Sequence, residues 1–113
     1  MSIPRTGPYS YIVAPGHRFS GIDRQLHSVD DEPAIVYNDG TKWWYDHDKV
    51  SRGGDKPAVV WWNGVQEWWV NNERHRDNGP AVIYPDTPDI HPELRGVEQY
   101  WEHGKMIRVK RAA

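Results

Sequence analysis

Three arginines recur at one place in this chain: Arg52, Arg76 and Arg108 each follow the second member of an aromatic pair by seven residues. A guanidinium fork beside aromatic rings can grip a carboxylate or phosphate through two parallel hydrogen bonds. The same fork can also staple a unit to an acid at its junction, such as Asp55 or Asp77, and the regular placement favours the staple. Six histidines invite a metal. No His-x-x-x-His spacing or His–carboxylate set runs along the chain, and His47 and His103 fall at turn positions where the middle unit has Asn71. Asp86 and Asp89 lack the alternating acids and glycine of a calcium loop. There are no cysteines, so no thiol nucleophile or thiolate metal site exists. Neither Gly-x-Ser-x-Gly nor a phosphate-cradling glycine loop occurs. The expectation is a non-enzymatic protein with no cofactor and no metal.

The segments that carry the arginines repeat. Pro33-Ala34, Pro57-Ala58 and Pro80-Ala81 open three units, Gly40, Gly64 and Gly96 follow, and then come the pairs Trp44-Tyr45, Trp68-Trp69 and Tyr100-Trp101. Each unit reads as a β-hairpin. A β-branched and aromatic strand begins at proline, where the missing donor is harmless. Asn38-Asp39-Gly40 and Asn63-Gly64 supply positive φ at the turn, and an aromatic strand returns to a polar turn. No helical periodicity runs beyond a turn or two. The fold class expected is all-β: an antiparallel meander of about six or seven strands, three stacked hairpin repeats forming an elongated, curved sheet. The units span about 26–52, 53–76 and 77–108. Residues 1–25 lie outside the repeat and are placed as an N-terminal cap, as a solenoid end requires. The whole is one domain on length.

Composition limits the partners. The net charge is −2 and 27% of residues are charged, so no global field recruits nucleic acid or a membrane. A short basic tail, Lys105, Arg108, Lys110 and Arg111, closes the chain. No apolar run reaches signal-peptide or transmembrane length, and the absence of cysteine suits a reducing cytoplasm. Seven Trp and six Tyr against one Phe concentrate the apolar area in amphipathic rings. The third unit carries an insertion, Pro85-Asp86-Thr87-Pro88-Asp89-Ile90-His91-Pro92-Glu93, stiffened by proline and made acidic by Asp86, Asp89 and Glu93.

The junction His75-Arg76-Asp77-Asn78-Gly79-Pro80-Ala81, with the aromatic strand before it, resembles the MORN-like repeats of bacterial, phage and large-virus proteins. The similarity covers roughly residues 26–108. It is weaker at Arg52-Gly53-Gly54-Asp55-Lys56-Pro57, which lacks the histidine, and at Asp30-Asp31-Glu32-Pro33, which lacks the arginine. The resemblance implies stacked hairpins used as an interaction surface, with no shared catalytic chemistry. Its distribution suggests a small phage-encoded inhibitor that occludes a host defence complex in the host cytoplasm, an anti-CRISPR-like role.

Successive strand residues face opposite ways, so the aromatic pairs form two columns. Trp44, Trp68 and Tyr100 make one, and Tyr45, Trp69 and Trp101 the other. With both faces apolar, part of the second column is expected to meet a partner or a second copy, since interface hot spots favour Trp, Tyr and Arg. The expected partner-binding residues are Tyr45, Trp69, Trp101, Arg52, Arg76 and Arg108, with Asp86, Asp89 and Glu93 on the loop. The partner class is another protein. The alternatives are a carbohydrate or choline-type cell-wall binder, whose adjacent rings cage a cation, and a single-stranded nucleic-acid binder, which the net negative charge disfavours.

Overall fold

The computed structural model describes residues 6–13 and 16–111. Tyr9 to Ile22 show how the chain begins: β1 (Pro8–Val13) and β2 (His17–Ile22) pair antiparallel. The short strand β3 (Gln25–Leu26) folds back on β2. Gly21 permits this fold-back, because a Cβ there would lie 1.9 Å from the Gln25 carbonyl oxygen. Among the described residues the only helical segment is a single 3-10 turn at Val29–Asp31.

The three units follow. Unit one holds β4 (Ile35–Val36), β5 (Lys42–Trp43), β6 (Tyr45–Asp46) and β7 (Lys49–Val50). Unit two holds β8 (Val59–Val60), β9 (Gln66–Glu67), β10 (Trp69–Val70) and β11 (Glu73–Arg74). Unit three holds β12 (Val82–Ile83), β13 (Glu98–Glu102) and β14 (Lys105–Lys110). The fold is the expected antiparallel all-β meander. A ten-stranded sheet runs β1-β2-β4-β5-β8-β9-β12-β13-β14, with β3 beside β2, and β6–β7 and β10–β11 form two separate ribbons. The strand number exceeds the expectation in part because the aromatic strands of units one and two break at Trp44 and Trp68, while β13 runs on through Tyr100 and Trp101. Trp43 pairs within the sheet, whereas Tyr45 pairs across the following turn.

Backbone bonds repeat with the sequence. Ala34, Ala58 and Ala81 donate to the carbonyls of Trp43, Glu67 and Gln99 at 2.8, 2.8 and 2.7 Å. The hairpins close from Tyr37 to Thr41, Trp61 to Val65 and Tyr84 to Val97, each at 2.9 Å, so the whole 85–96 insertion sits where the first two units have a three-residue turn. Gly40 and Gly64 hold φ of 96° and 90° in those short turns, a region that favours glycine. The second turn of each unit has two consecutive positive-φ residues, His47-Asp48, Asn71-Asn72 and His103-Gly104, which matches the strand twist of a type I′ hairpin. These turns dock sideways on the preceding unit. Leu26 donates to Asp48 Oδ1 at 2.6 Å and Val50 to Asn72 Oδ1 at 2.7 Å.

The core is thin and divided. Trp44, Val50, Ala58 and Val59 form one buried cluster, and Val65, Val82 and Ile90 the next, with Trp61 packed against both. The molecule measures 50 × 29 × 19 Å with a radius of gyration of 15.4 Å, above the ~13 Å expected of a compact chain this long. No helix among the described residues is long and apolar enough to cross a membrane.

Candidate functional site

Each arginine of the recurring column lies over the first aromatic of the pair before it: Arg52 over Trp44 at 3.9 Å, Arg76 over Trp68 at 4.0 Å and Arg108 over Tyr100 at 4.1 Å. In the first two units the fork is closed. Arg52 donates to both carboxylate oxygens of Asp31 at 3.0 and 3.1 Å, and to the Pro57 carbonyl at 3.1 Å. Arg76 does the same with Asp55, at 2.9 and 3.3 Å, and with the Pro80 carbonyl at 3.1 Å. The staple therefore exists, with a different acid from the one nearest in sequence. Arg52 takes Asp31 in place of Asp55, and Asp77 instead meets His75 Nε2 at 2.8 Å. The reason is the indole beneath the fork. Trp44 Nε1 donates to the Asp31 carbonyl at 2.9 Å and Trp68 Nε1 to that of Asp55 at 3.1 Å, which brings those carboxylates to the guanidinium. The pairing with Arg52, and then with Lys56 at 3.0 Å, holds the Asp31 carboxyl down at about 2, from an ordinary 3.8. Arg76 lowers Asp55 in the same way.

Arg108 differs. The closing acid stands two residues before the opening proline in units one and two, Asp31 and Asp55, whereas Asn78 precedes Pro80. Arg108 makes no ion pair among the described residues. It belongs to β14, the last strand of the sheet, and every residue of that strand is exposed. Met106, Ile107 and Val109 are 46, 54 and 36% exposed. Pairing shifts between Tyr100 and Trp101, so Arg108 faces Tyr100 and Val109 faces Gln99. In unit two the Gln99 equivalent, Glu67, pairs with Val82 of the following unit. Val109 thus takes the register place of the next unit's first strand, and β14 has no second partner strand among the described residues.

Of the first aromatic column Trp44 and Trp68 are buried, whereas the second column is partly buried. Tyr45 and Trp69 pack against the first core cluster and Trp101 against the second. Arg74, which sequence reasoning passed over, lies between Trp69 and Trp101 at 5.2 and 4.9 Å from their rings. A ligand cation would need that place, and the chain's own guanidinium fills it. Below it Glu67, 6% exposed, accepts from Trp61 Nε1 at 2.5 Å and from Trp69 Nε1 and Arg74 Nε at 3.0 Å. Three donors satisfy the buried carboxylate, as burial of a charge requires. The signal was available in the repeat: Glu67 stands where unit one has the aromatic Trp43.

The acidic insertion does not protrude freely. Ile90 is buried in the second cluster, and Arg95 donates to the carbonyls of Ile90 and Pro88 at 2.9 and 3.4 Å. Asp86, Asp89 and Glu93 remain on the exposed side. Finally, the ring of the turn residue His47 lies tilted at 44° against that of His27, with centroids 4.3 Å apart. Together with Asp46 they form a His–carboxylate set that spacing along the chain does not show, since His27 and His47 are 20 residues apart. No family model matches the chain, and neither does any curated protein or solved structure.

Proposed function

We propose that the protein is a non-enzymatic protein-binding module that receives an acidic, extended segment of its partner along β14. The open fork of Arg108 on an exposed edge strand carries this reading. Its two counterparts each hold a carboxylate bidentately, and a strand edge offers unpaired backbone groups to an added strand. Lys105, Lys110 and Arg111 extend the positive charge along the same edge. Pairing of two copies through β14 would oppose these charges directly and is disfavoured. Arg52 and Arg76 are structural clamps in this reading. Tyr45, Trp69 and Trp101 support the sheet that presents β14, and Asp86, Asp89 and Glu93 form a separate acidic surface. The finer reading, a phage-encoded inhibitor occluding a host defence complex, is carried by the MORN-like resemblance alone.

The test is a fluorescence anisotropy titration with a short labelled peptide of alternating Glu and Val. Saturable binding is expected, weakened about tenfold or more by Arg108→Gln, as loss of a charge-assisted bidentate contact predicts. Arg111→Gln, beyond the strand, should cost less. Equal binding to a Lys/Val peptide, or no effect of Arg108→Gln, overturns the reading. Tighter binding to a single-stranded oligonucleotide than to the acidic peptide would move the chain to the nucleic-acid class.

A further inference from the structure

We infer that His27, Asp46 and His47 form a binding site for one divalent transition cation of the zinc class. Their ligand atoms all lie within 4.8 Å of one another, one from each residue. Asp46 Oδ1 is 2.5 Å from His47 Nδ1 and 3.7 Å from His27 Nδ1. Tetrahedral ligands at ~2.0–2.2 Å from zinc stand about 3.4 Å apart, so the two separations bracket what an ion would impose. Asp46 and His47 are exposed and His27 half-buried, so an ion has a path from solvent. Two imidazoles and a carboxylate suit zinc, nickel or copper and suit calcium or magnesium poorly. Three protein ligands leave a coordination place for water.

A second observation comes from the repeat. The backbone N–H after His27 donates to Tyr45, that after Ser51 to Trp69 and that after His75 to Trp101. Positions 27, 51 and 75 are therefore equivalent in space, as are the residues following each aromatic pair. The sets read His27-Asp46-His47, Ser51-Val70-Asn71 and His75-Glu102-His103. Where one position is a metal-ligating type, all three are; where one is not, none is. A turn needs only positive φ at its first position, which Asn71 satisfies as well as His47. Turn geometry therefore explains His47, and His27 and His75 each accept the backbone N–H of the turn beside them, but the accompanying acid is left unexplained. In the third set the rings stack, at 4.2 Å, but His75 Nε2 is held by Asp77 at 2.8 Å, and among the described residues only the first set converges.

Binding asks for two changes: the 2.5 Å hydrogen bond from His47 Nδ1 to Asp46 Oδ1 is exchanged for the ion, and His27 is freed from the turn. His27 Nδ1 now accepts the His47 backbone N–H at 3.2 Å. Its lone pair would turn to the ion, and water would take over the exposed N–H. Both rings would coordinate through Nδ1, with the proton of His47 carried on Nε2 in place of Nδ1.

The middle unit supplies the control variants. His27→Ser, Asp46→Val and His47→Asn each install the residue that unit two already carries at that place, so the combined variant retains a backbone that the repeat tolerates. The tag-free chain, stripped with chelator, is titrated with zinc chloride by calorimetry beside the triple variant and His47→Asn alone, with circular dichroism on each. Uptake of zinc by the wild type is expected, with one ion fewer bound by the triple variant and binding weakened at least about tenfold by His47→Asn. A proton NMR titration with nickel should broaden the ring signals of His27 and His47 before those of His17, His75, His91 and His103. No zinc uptake by the wild type, undiminished uptake by the variants, or first broadening at His75 and His103 overturns the inference. Calcium binding as tight as zinc overturns it as well.

Discussion

At the scale of single residues, the clamp of Arg on Trp and Asp is the unit of construction. The Arg52–Asp31 pair is worth about 1 kcal/mol or less, and the ring contact beneath adds ~0.5–1 kcal/mol. The clamp matters because one guanidinium ties together three segments: its own strand end, the start of its unit and the next unit's proline. It also makes the fold acid-sensitive. The folded-state value of Asp31 lies at about 2, below the ordinary 3.8. The native state therefore binds fewer protons than the unfolded chain in this window. The stability Asp31 contributes is fully present above its unfolded value and is lost as pH falls from 3.8 towards 2. Asp31→Asn should lower neutral-pH stability and flatten the acid limb of a pH series of urea unfolding curves. A limb unchanged by the substitution would refute the clamp as its cause.

At the scale of elements, the insertion in the third hairpin acts as a cover for the sheet. Ile90, 4% exposed, is its anchor in a cluster with Val65 and Val82. Ile90→Ala should cost about 2–5 kcal/mol in chemical denaturation, the range for removing a buried aliphatic side chain. Neutralising Asp86, Asp89 and Glu93 on the exposed side should change stability by less than about 0.5 kcal/mol each. A destabilisation by Ile90→Ala no larger than that would show the loop to be unpinned.

At the scale of the whole molecule, contacts run from neighbour to neighbour, as in other repeat arrays. The largest fully buried side chains, Val59 and Val82, belong to the second and third units, while β14 is exposed throughout. Native-state amide exchange should therefore show the slowest amides around Val59 and Val82 and the fastest along Lys105–Lys110, because local opening follows packing. Uniform protection across all strands would indicate one cooperative block.

The all-β class, the hairpins and their turn glycines were legible in the residues, because they depend on local φ preferences and on the two-residue strand period, whereas the burial of Trp44 and Trp68 beneath their arginines was not. The arginine staple was legible as a type of contact, but its partner was not. Asp31 reaches Arg52 only because the Trp44 indole holds its carbonyl, a contact between residues 13 apart. The same limit hid Arg74 between two rings, the burial of Glu67, the seat of Ile90 and the meeting of His27 with Asp46 and His47. Each of these is a long-range juxtaposition set by how one hairpin stacks on the next. Local sequence specifies the repeating unit and leaves the stacking offset free, and packing between units selects it. The open fork of Arg108 lies between the two cases. Asn78 in place of an acid stands in the sequence, yet only the tertiary structure shows that no other acid among the described residues closes the clamp.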